Sequence, residues 1–315
     1  LKERSFYFAD NSGACRLLAQ IWEPEERPRA VLQIVHGINE YGGRYASFAA
    51  FLTAHGFAVA AHDLMGHGGS VAEGQPHGYF AQRQGWLNCL ADLRNFSQEL
   101  RRQYPGLPLF LLGHSIGSFM VRDTLIRFDD SFGGVILSGT GCNPRLRYDL
   151  GLLVCGAAKL LRGAKGKSRL VRDMCFGRFA KAYAAEHKII AWLSRDPAVY
   201  SAYAEDPQCR FLPSIELIRQ MLLGMRHMDD LRRYRRIRRD IPLLLVSGAA
   251  DPVGDFGKGV SRVYRRLLAA GCADTELLLY PGARHEVLSD PDKEQAYHDI
   301  LEWLEEKLPD RAACG

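Results

Sequence analysis

Six short, largely apolar runs constrain the fold of this chain more than any other feature. They read AVLQIVHG (30–37), FAVAAHD (57–63), PLFLLGHS (108–115), GGVILSG (133–139), PLLLVSG (242–248) and TELLLYPG (275–282), each closing on glycine or a polar residue. Runs of this length without polar alternation suit strands buried on both faces, which is the environment of a parallel sheet. Parallel neighbours need crossover connections, and the segments between the runs carry helix spacing. Trp86, Leu90, Leu93 and Leu100, for example, recur at steps of four, three and seven. Near the start, SFYFAD and CRLLAQIW look like an antiparallel hairpin. The expected fold class is therefore α/β, a mostly parallel twisted sheet with helices on both faces.

The alternation breaks after Cys142. From there to about residue 225 the chain is helical in pattern and basic, with NPRLR, DPAVY and DPQCRFLP marking corners, and no strand pattern returns before Ile241. Because strands then resume, the segment reads as an insertion into one sheet. The expected organisation is a core of residues 1–141 and 226–315 with a helical cap at 142–225. Within the cap, DLGLLVCGAAKLL (149–161) can face the core, line an apolar tunnel or touch a lipid surface. The neighbouring RGAKGKSRLVR reads as a flexible basic connection, or as a segment that attracts an anionic ligand.

Charge is distributed unevenly. The chain carries a formal +5, yet Arg145–Lys181 alone holds ten Lys/Arg against two Asp. The rest of the chain is thus slightly acidic. A second basic run, LRRYRRIRRD, spans 231–240. Such runs suit solvated helical faces, or an anionic lipid surface or acidic substrate. Nucleic acid is not an expected partner, since no aromatic-interleaved or helix-turn-helix pattern accompanies the charge. Eight cysteines occur without a C-x-x-C pair or zinc-ligand spacing, which points to free thiols in a reducing, cytoplasmic setting with no metal and no cofactor. No stretch approaches the roughly 20 apolar residues of a membrane span. The opening LKERSFYFAD lacks the apolar core of a secretory signal.

The chemistry concentrates in Gly113-His114-Ser115-Ile116-Gly117. A G-x-S-x-G run between a strand and a helix is the pattern of a nucleophile elbow, where a strained turn projects the serine. Serine needs a base to take its proton, and the base needs orienting. In this arrangement acid and histidine follow in chain order, each after a later strand. Asp251 follows LLLVSG and His285 follows LLLYPG. Asp255 is an alternative acid, four residues further on. Ser115 is expected to share its proton with His285. Two backbone donors for an oxyanion are expected from Ile116, directly after the serine, and from Ile38, just past the strand ending in His36-Gly37.

These stretches resemble one family. HGINEYGGRY (36–45) is similar to the H-G-x-x-E-H-x-G-R-Y run of monoacylglycerol lipases and bacterial lysophospholipases, serine hydrolases of the α/β-hydrolase superfamily. AHDLMGHGGSVAEG resembles their D-x-x-G-H-G-x-S segment, and GHSIGS, SGAADPV and PGARHEVLSD resemble their elbow, acid turn and histidine turn. SRDPAVYSAYAEDP in the cap resembles the bacterial branch. The resemblance implies hydrolysis of a single-chain lipid ester, a monoacylglycerol or lysophospholipid, through an acyl-enzyme under a mobile cap that touches membrane transiently. Ser115, Asp251 and His285 would be catalytic, with Ile38 and Ile116 as donors and Glu40 and Arg44 near the polar head group. Tyr41 stands where the family usually has His, and Ser118 where a second glycine is frequent. The competing expectations are an aminopeptidase or amidase on the same scaffold, and a ligand-binding protein that has lost catalysis.

Overall fold

The structure, a computed structural model, describes residues 1–186 and 190–309. The chain opens with the hairpin β1 (Lys2–Ala9) and β2 (Arg16–Glu23), then β3 (Ala30–Val35), α1 (Ala46–Ala54), β4 (Phe57–His62) and α2 (Gly85–Gln103). Next come β5 (Leu109–His114), α3 (Ile116–Arg127) and β6 (Gly134–Ser138). After the insertion described below, β7 (Leu243–Gly248) and β8 (Thr275–Tyr280) complete one eight-stranded sheet of order β1-β2-β4-β3-β5-β6-β7-β8. Only β2 runs against the other strands, so the β1–β2 and β2–β4 pairs are antiparallel and the remaining pairs parallel.

Period-two alternation divides the core between the two faces. Leu109, Leu111, Val135, Leu137, Leu243 and Leu245 pack on one side, under α2 and α3. Phe110, Leu112, Ile136, Leu244 and Val246 pack on the other, under α1 and the C-terminal helix Lys293–Glu306. Five of the six apolar runs are buried on both faces as expected. TELLLY is not, because β8 is the sheet edge and leaves Leu279 exposed. In register, Val35 lies beside Gly113, His114 beside Ser138, and Ser138 beside Val246. The C-terminal ends of β3, β5, β6 and β7 thus converge where ligands bind open parallel sheets.

Between β6 and β7 the chain forms α4 (Arg145–Arg162), α5 (Arg169–Ala182), α6 (Pro197–Glu205), α7 (Ile215–Met228) and the short α8 (Leu231–Tyr234). Local chemistry sets several of these starts. Asp196 accepts from Ala198 N ahead of Pro197, and Ser214 Oγ accepts from Leu217 N at 3.1 Å. α7 runs unbroken through residue 225 to Met228 and packs on α3 and α2. Its Gly224 is obligatory, since a Cβ there would lie 2.1 Å from the Trp86 ring. Both ends of the insertion are fastened to α3 by the buried Arg122, which donates to Gly141 O and to Asp229 Oδ1, each at 2.8 Å.

Helix α4 resolves a point the sequence left open. Tyr148, Gly151 and Cys155 face inward, whereas Leu146, Leu150, Leu153 and Leu160 form an exposed stripe, Leu160 at 90% exposure. Among the described residues no helix is long and apolar enough to cross a membrane. The seven described cysteines are free, and Cys314 lies outside the described residues.

Candidate active site

Ser115 sits at a sharp corner between β5 and α3 with φ 52° and ψ −120°. A non-glycine residue held there costs about 1–3 kcal/mol, and it persists only where the surroundings over-determine it. Here they do. A Cβ at Gly113 would lie 2.6 Å from Gly117 O, and a Cβ at Gly117 would lie 2.1 Å from Val35 O. Strand and helix meet so closely that only glycine fits on either side of the serine. Ser115 N donates to Ser138 O at 2.9 Å, and Ser118 Oγ donates to Ser115 O at 2.6 Å. The hydroxyl of Ser118, where a glycine is frequent, therefore ties the first turn of α3 to the elbow.

Asp251 and His285 occupy the turns after β7 and β8. Nδ1 of His285 lies 2.9 Å from Asp251 Oδ2, while Oδ1 accepts from Val253 N at 2.8 Å. Both side chains are buried. Asp255 makes no side-chain hydrogen bond among the described residues and lies in a left-handed turn, so the imidazole pairs with Asp251. The His285 ring is also packed between His114, at 4.8 Å between centroids, and Trp192, at 5.1 Å. Burial pushes its pKa down, but Asp251, with Glu286 and Glu40 behind it, outweighs that and leaves it raised above the ordinary value.

Ser115 and His285 line one cavity, yet the expected hydroxyl–imidazole hydrogen bond is not formed. Nε2 of His285 is buried without a partner among the described residues. Asp251 holds the ring by hydrogen bond, and Trp192 and His114 pack against it. Bonds of this kind are often long before substrate arrives.

The N–H groups of Ile38 and Ile116 find no acceptor among the described residues. The loop carrying Ile38 is braced from within. Gly37 N and Tyr45 OH donate to Glu40 Oε1, and Arg44 bonds Glu40 Oε2 at 3.0 Å and both oxygens of Glu286 at 2.9 Å. Glu40 and Arg44 are thus engaged with each other and with Glu286, a residue the sequence reading passed over although it directly follows His285. His36 is fully buried, accepts from Leu64 N at 2.8 Å, and has its pKa pushed down to about 3 by burial, which keeps it neutral.

A family model described as serine aminopeptidase, S33, matches residues 26–292. The chain belongs to this family. A monoacylglycerol lipase of Mycolicibacterium smegmatis is 28% identical, over 93% of this chain and 94% of the relative. The human monoglyceride lipase is 26% identical, over 94% and 89%. A thermostable carboxyl esterase of Bacillus coagulans, solved in complex with glycerol, superposes with a TM-score of 0.90 at 26% identity, covering 98% of this chain and all of that one. The fold is that of the α/β-hydrolases, and the chain is an enzyme, a serine hydrolase of that superfamily.

The insertion shapes the space above the serine. The cavity holds about 560 Å³ and is walled mainly by apolar side chains, among them Phe176, Ile190, Trp192, Phe211 and Leu212. No residue of α4 lines it. Trp192 O and Leu193 O accept from His285 N and Glu286 N, so the insertion also holds the histidine turn. Trp192 had no signal in the sequence beyond being an isolated aromatic.

Proposed function

We propose that the enzyme hydrolyses carboxylic esters of single-chain lipids, monoacylglycerols or lysophospholipids, through an acyl-enzyme on Ser115. The observation that carries this reading is the Asp251–His285 pair set beside an elbow serine at the floor of a large apolar cavity. His285 Nε2 takes the Ser115 proton as Oγ attacks the ester carbon, and the oxyanion lies against Ile38 N–H and Ile116 N–H. The imidazolium, stabilised by Asp251, then protonates the departing alcohol oxygen. Water, deprotonated by the same nitrogen, attacks the acyl-enzyme and frees the fatty acid and Ser115. In this reading residues 142–225 act as a cap, and the names of the relatives, a monoacylglycerol lipase and a monoglyceride lipase, favour the substrate class.

An ester is favoured over an aminopeptidase substrate. An α-ammonium group needs a carboxylate oxygen free to receive it, whereas both oxygens of Glu40 and both of Glu286 already accept hydrogen bonds, and Asp173 is paired with Arg172. The outer face of the insertion suits an anionic lipid surface. The exposed stripe of α4, joined by Leu170 and Met174 of α5, lies in the segment with the local excess of eight positive charges. Peripheral contact there would bring the cavity to its substrate. Monoacylglycerol, lysophospholipid and an aminoacyl anilide compared side by side should show ester turnover with negligible anilide cleavage. With monoacylglycerol in vesicles, anionic phospholipid should speed hydrolysis, and salt should shrink that advantage. Preference for the anilide would overturn the ester reading, and indifference to lipid charge would overturn the surface contact.

The raised pKa of His285 gives a pH prediction. The base must be neutral to accept a proton, so kcat/KM should fall as pH drops, with a midpoint above the ordinary value of about 6.5. Removing the negative charge at 251 should move that limb to lower pH. A limb below about 6 in the unaltered enzyme would contradict the assignment of His285.

A further inference from the structure

We propose that Asn39 is a positioning residue that makes formation of the oxyanion site depend on the seating of the helical insertion. This rests on the reading of Ser115, Ile38 and Ile116 given above. Asn39 directly follows Ile38 and has φ 59°, a left-handed conformation that asparagine tolerates better than most residues. Its side chain is buried, and its Nδ2 donates to two carbonyls far along the chain, Cys209 O at 3.0 Å and Phe211 O. Both hydrogens of one amide are thereby committed to the insertion.

The segment they hold is a unit. Asp206 O accepts from Cys209 N and Arg210 N at 3.0 Å, and Asp206 Oδ1 accepts from Gln208 N at 2.8 Å. Tyr41, standing where the family usually has His, donates from its hydroxyl to Asp206 Oδ2 at 3.0 Å. Three consecutive residues therefore split their tasks. Asn39 and Tyr41 reach out to the 206–211 turn, while Glu40 between them reaches back to Gly37 N. Ile38 is caught between an inner brace and an outer one, and its N–H direction needs both. The far side of the turn is anchored elsewhere, with the Phe211 ring against His67 and His77. If the turn lifts, Asn39 loses both acceptors and the Ile38 donor loses its outer support. An empty or opened site is then a poor catalyst, and a seated one has its donor in place.

Asn39→Gly keeps the left-handed backbone accessible and deletes the amide. Turnover of p-nitrophenyl acetate, an ester too short to use the acyl cavity, should fall roughly 10- to 100-fold in kcat, because a misdirected donor costs nearly as much as a missing one. KM should change by less than about 3-fold. A residue that only shapes the acyl cavity would leave the short ester at the normal rate and alter KM for long chains, and that outcome would overturn the proposal. Asn39→Asp, equal in shape but without a donor, should lose at least as much. Tyr41→Phe, at a partly exposed position, should lower kcat about 3-fold with an unchanged melting temperature. If both Asn39 variants fail to fold, normal turnover in Tyr41→Phe overturns the proposal. Ser115→Ala run alongside separates the two ideas. An active Ser115→Ala sinks the serine mechanism, whereas an inactive one beside a full-rate Asn39→Gly sinks only the coupling.

Discussion

Ser115→Ala should lower kcat for any ester substrate by about 10⁴-fold or more while leaving the protein folded. The structure explains why the two effects separate. Ser115 Oγ makes no hydrogen bond among the described residues, so the methyl group leaves no polar partner stranded. Alanine also meets the same backbone strain at φ 52° that serine does, so the cost of the elbow is unchanged. What disappears is the nucleophile that the proposed mechanism requires. Some catalysis over water would remain, since an intact oxyanion site and bound substrate still favour attack by solvent. Purified variant and parent should show overlapping thermal melts, and a fluorophosphonate should label the parent alone. Ester hydrolysis at the parent's rate in a folded Ser115→Ala protein would remove Ser115 from the mechanism.

Asp251→Asn should be nearly as severe, lowering kcat roughly 10³- to 10⁴-fold, whereas Asp255→Asn should stay within about 2-fold. The difference lies in what each carboxylate touches. Oδ2 of Asp251 accepts from the Nδ1 edge of His285, which sets the tautomer with a bare Nε2 facing the cavity. An amide at 251 can instead donate to Nδ1, moving the ring proton to Nε2 and abolishing the base. It also removes the charge that stabilises the imidazolium in a buried site. Asn would still accept from Val253 N, so the turn should hold and the loss should fall on kcat. Asp255 makes no comparable contact, and its carboxylate faces neither the ring nor the cavity lining. Kinetics on a p-nitrophenyl ester settle the ranking, and a mild Asp251→Asn beside a severe Asp255→Asn would reassign the acid.

Much of the site could be read before folding was known because its signals are local. Gly113 and Gly117 flank Ser115 within five residues, and Asp251 and His285 each follow a strand that is itself a contiguous apolar run. The family resemblance also marks Glu40 and Arg44, as positions near a head group. In the folded chain their charges are turned to one another and to Glu286, and Glu40 braces the loop of Ile38. That use could not be read from spacing, since Glu286 lies 242 residues from Arg44.

The amino-acid order by itself determined the α/β class, the strand succession, the elbow and the order in which acid and base follow it. Each of these is written in periodicity or in neighbours a few residues apart. Tertiary structure alone decided three other matters. It turned the Leu stripe of α4 outward and not toward the cavity, because a helical repeat specifies which residues share a face but not what that face meets. It turned Arg44 onto Glu286, because an ion pair between residues 242 positions apart leaves no mark on local sequence. And it brought Asn39 to the carbonyls of Cys209 and Phe211, contacts made through backbone atoms that every residue type supplies alike.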